Sequence, residues 1–175
     1  MKTSSLSPEN LTAWEVVRLL KLEPLNQEGG YFRRTGQSDA ILPDGRRAWS
    51  MIYSLITPEG FSALHRLATD ELWCFHAGDP LESLRLRPDG AGEWVKLGLN
   101  LAGGERPQDV APAKAWQGTR LAAGGRWALV TCVVAPEFQW SDFELGSREA
   151  LAAAYPSFAE GIAALARITP PVGKL

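Results

Sequence analysis

From Tyr31 to Val134 the sequence is a succession of short apolar or alternating runs, each stopped by a turn former. The runs are Tyr31–Thr35, Ala48–Ile56, Ser62–Arg66, Glu71–His76, Leu81–Arg87, Trp94–Leu99, Trp116–Leu121 and Trp127–Val134. Between them stand Pro43-Asp44-Gly45, Pro58-Glu59-Gly60, Ala77-Gly78-Asp79-Pro80, Pro88-Asp89-Gly90, Ala102-Gly103-Gly104 and Ala122-Ala123-Gly124-Gly125. Asp-Gly and Gly-Gly pairs turn a chain sharply because they tolerate positive φ. Strands at a spacing of about 8–12 residues predict an all-β sandwich or barrel. No helical pattern separates them, which excludes a parallel βαβ sheet. Ala48–Ile56 and Trp127–Val134 are nearly continuous apolar runs and are predicted to be central strands. Leu81–Arg87 sets Leu81, Leu84 and Leu86 against Glu82, Arg85 and Arg87, which predicts one wet face.

Helices are expected only at the two ends. Residues 7–22 are predicted helical, with Ser7 as cap, Pro8 in the first turn and Glu9 complementing the dipole. Leu11, Trp14, Val17 and Leu20 would form the buried stripe. At the other end Ser147 can cap Arg148–Tyr155, and Pro156 forces a break. Phe158–Arg167 places Phe158, Ile162 and Leu165 on one face, and Pro170-Pro171 opens a tail. A length of 175 residues then reads as one domain, with a core at about 28–140, an N-terminal helix at about 7–22 and C-terminal helices at about 147–167.

Composition narrows the chemistry. The net charge of −2 and the absence of a basic stripe exclude a nucleic-acid footprint. No run of about 18 apolar residues is present and Met1–Asn10 is polar, so neither a membrane span nor a signal peptide is expected and the cytoplasm is the expected location. The two cysteines, Cys74 and Cys132, sit in apolar runs and read as buried thiols rather than a disulfide. Only His65 and His76 are available, so no three-histidine site can form in one subunit. No phosphate-binding glycine loop is present.

The chemistry concentrates in Gly60–Gly78. If Ser62–Arg66 and Glu71–His76 are consecutive antiparallel strands joined by Leu67–Asp70, His65 and Glu71 face each other across the hairpin. An imidazole and a carboxylate that converge inside a barrel can bind a metal or act as an acid–base pair. The other reading is a satisfied core histidine beside a rim charge. His76 lies five residues after Glu71, so strand alternation turns it to the opposite face.

This stretch is similar to the first cupin motif: His65, Glu71 and Gly78 match, while Leu67 stands where a second histidine is usual. Pro112-Ala113-Lys114-Ala115-Trp116-Gln117 resembles the second motif, with Lys114 in the place of a glycine and Gln117 in the place of a histidine. Glu28-Gly29-Gly30-Tyr31-Phe32-Arg33-Arg34-Thr35, Phe61-Ser62-Ala63-Leu64-His65-Arg66, Asp70-Glu71-Leu72-Trp73 and His76-Ala77-Gly78-Asp79-Pro80-Leu81 resemble the cupin 5 (DUF985) family. The resemblance covers about residues 10–165. It implies a cupin-type double-stranded β-helix, a jelly-roll barrel related to RmlC-like deoxysugar epimerases, and a homodimer.

The resemblance leaves the function open. A small polar, anionic or sugar-like ligand in the barrel is expected, with isomerase or epimerase proton transfer as one activity. His65 with Asp70 or Glu71 would remove a proton, and Tyr53 would return it. Arg33 or Arg34 would select an anion, and strand alternation lets only one enter the cavity; Arg33 is the chosen candidate. Trp73, Trp116 and Gln117 complete the expected ligand-binding set. The alternatives are a metal-dependent enzyme using His65, Glu71 and Gln117, and a non-catalytic binding or sensing module. An amide oxygen suits a hard cation such as manganese better than zinc.

Overall fold

The computed structural model describes residues 10–167. In chain order the elements are α1 (Ala13–Leu20), β1 (Glu23–Pro24), β2 (Tyr31–Gln37), β3 (Ser50–Ile56), β4 (Ser62–Leu67), β5 (Asp70–Gly78), β6 (Leu81–Leu86), β7 (Gly92–Leu97), β8 (Gln108–Ala111), β9 (Trp116–Leu121), β10 (Ala128–Ala135), β11 (Phe143–Leu145), α2 (Arg148–Ala154) and α3 (Ala159–Leu165). All eight expected strands are present. Three short strands without an apolar run of their own, β1, β8 and β11, complete the edges.

Two antiparallel sheets stack face to face, in the orders β1-β2-β3-β10-β5-β8 and β11-β4-β9-β6-β7. They are not closed into a barrel. The nearly continuous apolar strands β3 and β10 lie inside the first sheet, as expected of central strands. From β3 to β6 the chain changes sheet at every step, and again from β7 through β11. The β4–β5 connection is therefore a crossing between sheets and not a hairpin, which corrects the expected pairing of Ser62–Arg66 with Glu71–His76. β4 pairs with β9 and β11, whereas β5 pairs with β8 and β10.

Alternation sorts the side chains. Along β5, Glu71, Trp73 and Phe75 are buried between the sheets, and Leu72, Cys74 and His76 point outward. Between the sheets Trp73, Phe75, Leu81, Leu97 and Val130 form one core. On the outer side of the second sheet, Leu64, Leu84 and Leu86 meet Leu151, Ile162 and Leu165 of the C-terminal helices. On the outer side of the first, Leu55 and Trp127 meet Val16 and Val17 of α1. Each such large aliphatic side chain contributes about 1.5–3 kcal/mol when fully buried.

Residues 7–9, with the expected cap Ser7, lie outside the described residues, as does Pro170-Pro171. The helix itself starts later than expected. Thr12 caps it in a reciprocal box: Glu15 N–H donates to Thr12 Oγ1 at 3.3 Å, and Thr12 N–H donates to Glu15 Oε2 at 2.8 Å. The expected stripe is also corrected, because Trp14 is 71% exposed. A strict three-residue spacing falls back about 60° per step around a helix, so four such residues cannot share one face. The face that packs is Ala13, Val16, Val17 and Leu20, the spacing of an amphipathic helix. At the C-terminal end Ser147 caps α2 as expected, accepting from Ala150 N–H at 3.4 Å.

Candidate functional site

The crossing from β4 to β5 decides where the polar residues meet. His65 on the inner face of β4 and Glu71 on the inner face of β5 converge across the gap between the sheets, with Nε2 3.9 Å from Glu71 Oε2. His65 is only 1% exposed. Its Nδ1–H donates to the carbonyl of Ala63 at 2.8 Å, so Nδ1 carries a proton, because a carbonyl can only accept. Its ring stacks on Phe143, with centroids 5.1 Å apart.

A second carboxyl group reaches the other edge of the imidazole. Glu28 Oε1 lies 3.9 Å from His65 Nδ1 and accepts from Ser62 Oγ–H. Glu28 is held there by the Gly29-Gly30 turn. A Cβ on Gly29 would sit 2.1 Å from the carbonyl oxygen of Phe61, and φ there is +125°, so only glycine lets this turn approach β4 so closely. The sequence displayed Glu28 beside a Gly-Gly pair but assigned it no role. An acid immediately before such a turn was the available signal.

Glu71 is bound from its other side. Gln117 Nε2–H donates to Glu71 Oε2 at 2.6 Å, and Trp73 Nε1–H donates to Gln117 Oε1 at 3.1 Å. Trp73 can only donate, so it fixes the amide with its NH2 toward Glu71. Cys132 lies on the same inner face, and burial pushes its thiol well above the ordinary range, with Glu71 and Glu28 adding to the effect. It is therefore a packed thiol and not an activated nucleophile. Cys74 lies on the opposite face of the sheet, and both cysteines are free.

Burial lowers the affinity of His65 for a proton, but the facing carboxyl groups of Glu28 and Glu71 outweigh it and raise the pKa to about 9. Burial raises Glu28 above the usual carboxylate range, and Glu71 adds to this, against the pull of His65. Glu28, His65 and Glu71 thus form one buried cluster of titratable side chains.

A cavity of about 140 Å³ opens above this cluster. Glu28 and Glu71 are part of its lining, with Phe32, Ile52, Leu67 and Cys132 as apolar walls and Arg34 and Trp140 at the exposed rim. Trp140, Phe138 and Phe143 pack edge to face there, with centroids 5.0–6.4 Å apart. This aromatic corner comes from the segment before and within β11, where the sequence showed no strand pattern.

Four expected site residues lie elsewhere. Tyr53 points to the outer face of β3, packs under α1 and meets His76 at 6.2 Å, so it cannot return a proton inside the cavity. Arg33, its cross-strand neighbour, lies over the Tyr53 ring at 5.8 Å, and Arg34 is the arginine that faces the cavity. Strand alternation admitted one of the two but could not say which, because the inner parity of β2 is set by its pairing with β3. Trp116 is on the outer face of β9, against the C-terminal helices and under Arg66 at 4.6 Å. Asp70 is exposed and accepts from Ala113 N–H at 2.7 Å. As expected, His76 faces outward, where Nε2 meets Thr131 Oγ1 at 2.6 Å.

The donors do not fit a metal of the kind common in cupins. Gln117 turns its NH2, not its oxygen, toward the site, and the carboxyl groups of Glu28 and Glu71 lie at opposite edges of the imidazole. His65 Nδ1 is already committed to Ala63. A catalytic ion usually needs about three convergent protein ligands. Among the described residues no three His, Cys, Asp or Glu side chains are grouped to hold one.

The sequence profile of the Cupin superfamily family DUF985 (Cupin_5) matches residues 14–146, well over half of the chain. The chain belongs to this cupin family. Two solved structures are similar over nearly their whole length. One is a hypothetical protein from Leishmania major, 33% identical, with a TM-score of 0.82 and coverage of 89% of this chain and 99% of that one. The other is a protein from Shewanella oneidensis, 38% identical, with a TM-score of 0.83 and coverage of 90% and 98%. More distant cupins share the fold. A cupin 2 domain-containing protein from Halorhodospira halophila is 15% identical, with a TM-score of 0.53 and coverage of 81% and 85%. No curated protein matches. One detail of the cupin pattern survives a substitution: Lys114, standing where the second motif has glycine, adopts the left-handed conformation with φ +66°.

Proposed function

We propose that this cupin binds a small polar molecule in the cavity between its sheets and moves a proton at a carbon next to a carbonyl. The observation that carries the reading is His65, closed off from solvent and set between two carboxyl groups that both line the same cavity. Pairs of carboxyl groups in unlike surroundings divide acid and base work. Glu28, which burial keeps protonated to higher pH, is the acid, and Glu71 is the base. The C–H bond breaks, its proton passes to Glu71, its electron pair enters the new C=C bond, and the carbonyl oxygen takes the proton of Glu28. His65 and Gln117 hold Glu71 in place, so His65 is a positioning residue in this scheme. A cavity of about 140 Å³ favours a ligand of a few carbons over a nucleotide sugar.

The test is solvent exchange. Small carbonyl compounds such as pyruvate, dihydroxyacetone and glyceraldehyde are incubated with the protein in D2O and followed by NMR, with thermal shift as the binding readout. Deuterium should enter beside the carbonyl with wild type and slow by about a hundredfold or more in Glu71→Gln, within the usual range for a lost general base. Binding without exchange would leave the sensing-module alternative, and no binding at all would remove the pocket reading.

We further propose a homodimer, supported by a row of outward apolar residues. Val110, Leu72, Val133 and Met51 are cross-strand neighbours on four adjacent strands, and α1 does not cover them. Leu72 is 42% and Val110 48% exposed. Such a row on one face can meet itself across a two-fold axis. No helix among the described residues is long and apolar enough to cross a membrane. The two free thiols suit a reducing compartment, and the cytoplasm is the proposed location.

A further inference from the structure

Arg34 differs from most arginines in this chain. Arg46, Arg66, Arg85, Arg87, Arg106, Arg120 and Arg126 each lie within ion-pair distance of a carboxylate. Among the described residues Arg34 has no such partner, and its hydrogen bond is one Nη1–H to Gln37 Oε1 at 3.1 Å. Strand pairing sets it opposite Ile52, and both residues line the cavity. A guanidinium presents five donors in a planar fork, so most of this fork is left for a ligand.

We propose that Arg34 anchors the carboxylate of a small organic acid whose uncharged end points down toward Glu28 and Glu71. This assignment rests on the reading of the cavity as a ligand site and adds the chemical class of the ligand. The polarity of the cavity dictates the orientation. A carboxylate at the floor would face the carboxyl groups of Glu28 and Glu71, whereas at the rim it meets an unpaired cation. A carbonyl or hydroxyl group at the inner end can exchange hydrogen bonds with both floor residues. Phe32, Ile52 and Trp140 give the short carbon chain between them an apolar wall. The cavity volume of about 140 Å³ admits an acid of only a few carbons.

Calorimetric titration of matched pairs tests this: pyruvate against pyruvamide, and lactate against lactamide, with wild type, Arg34→Gln and Arg33→Gln. The acids should bind wild type and Arg33→Gln about tenfold or more tighter than the amides, as expected for a charge-assisted pair. Arg34→Gln should erase that preference by weakening the acids about tenfold more than the amides. Ile52→Trp, which fills the cavity, should abolish binding of both classes. Equal binding of acids and amides, or an acid preference that survives Arg34→Gln, overturns the anchor and leaves the cavity reading standing. Acid binding that survives Ile52→Trp places it outside the cavity and overturns the proposal. If neither class binds wild type, the anchor and the cavity reading fall together.

Discussion

His65 shows how a single residue changes meaning with its surroundings. As a lone histidine in an apolar strand it was compatible with a ligand, a base or a packed core residue. Its Nδ1–H bond to Ala63 and the carboxyl groups at both edges make it a buried imidazolium. Its folded pKa of about 9 lies above the ordinary 6.5, so the stabilisation is complete below pH 6.5 and is lost as pH rises through 9. Burial also raises Glu28 above its ordinary range, so the sign of its contribution is the same. The melting temperature should therefore fall as pH rises from 6.5 through 9. His65→Gln should melt lower at pH 6.5 and show a much flatter profile. A wild-type profile that stays flat, or rises, across this range would contradict the buried imidazolium. The residue-level chemistry of Glu71 and Gln117 was visible in the motif, but Gln117 acts as a donor to Glu71, where the motif suggested a metal ligand.

The elements were legible to the extent that their own patterns carried them. β3, β5, β6, β9 and β10 follow from apolar runs and flanking turns. β8 and β11 do not, because Gln108–Ala111 and Phe143–Leu145 are strands only by virtue of the partners that border them. The turn into β9 shows an element that keeps its backbone after losing its preferred residue. Lys114 sits at φ +66° and donates its N–H to Leu67 O at 2.8 Å, which ties the end of β4 to the start of β9, the strand that carries Gln117. A side chain in the left-handed region costs about 1–2 kcal/mol, and glycine recovers part of this. Lys114→Gly should raise the melting temperature by a few degrees without altering ligand binding. A loss of stability would show that Lys114 makes a compensating contact.

At the scale of the whole molecule, helices pack on the outer faces of both sheets but leave part of the first sheet's face open. α1 covers the part of the first sheet around Leu55 and Leu129, and α2 and α3 cover Leu64, Leu84 and Leu86 of the second. The row Val110, Leu72, Val133 and Met51 has no such cover. In sedimentation at micromolar concentration the protein should run as a dimer, and Leu72→Glu should run as a folded monomer. A wild-type monomer would remove the dimer. The eight main strands, their order along the chain and the terminal position of the helices followed from local periodicity and turn chemistry, which depend only on neighbouring residues. Which sheet each strand joins, and so which side chains face each other, depends on pairings between residues far apart in the chain. The β4–β5 crossing sets His65 against Glu71 through the core, the β2–β3 register turns Arg34 inward and Arg33 out, and β11 closes the aromatic rim. The sequence by itself determined a cupin with an incomplete set of metal ligands. Only the tertiary structure decided that the remaining histidine is shared between two carboxyl groups, because burial and long-range pairing, not local spacing, set its protonation.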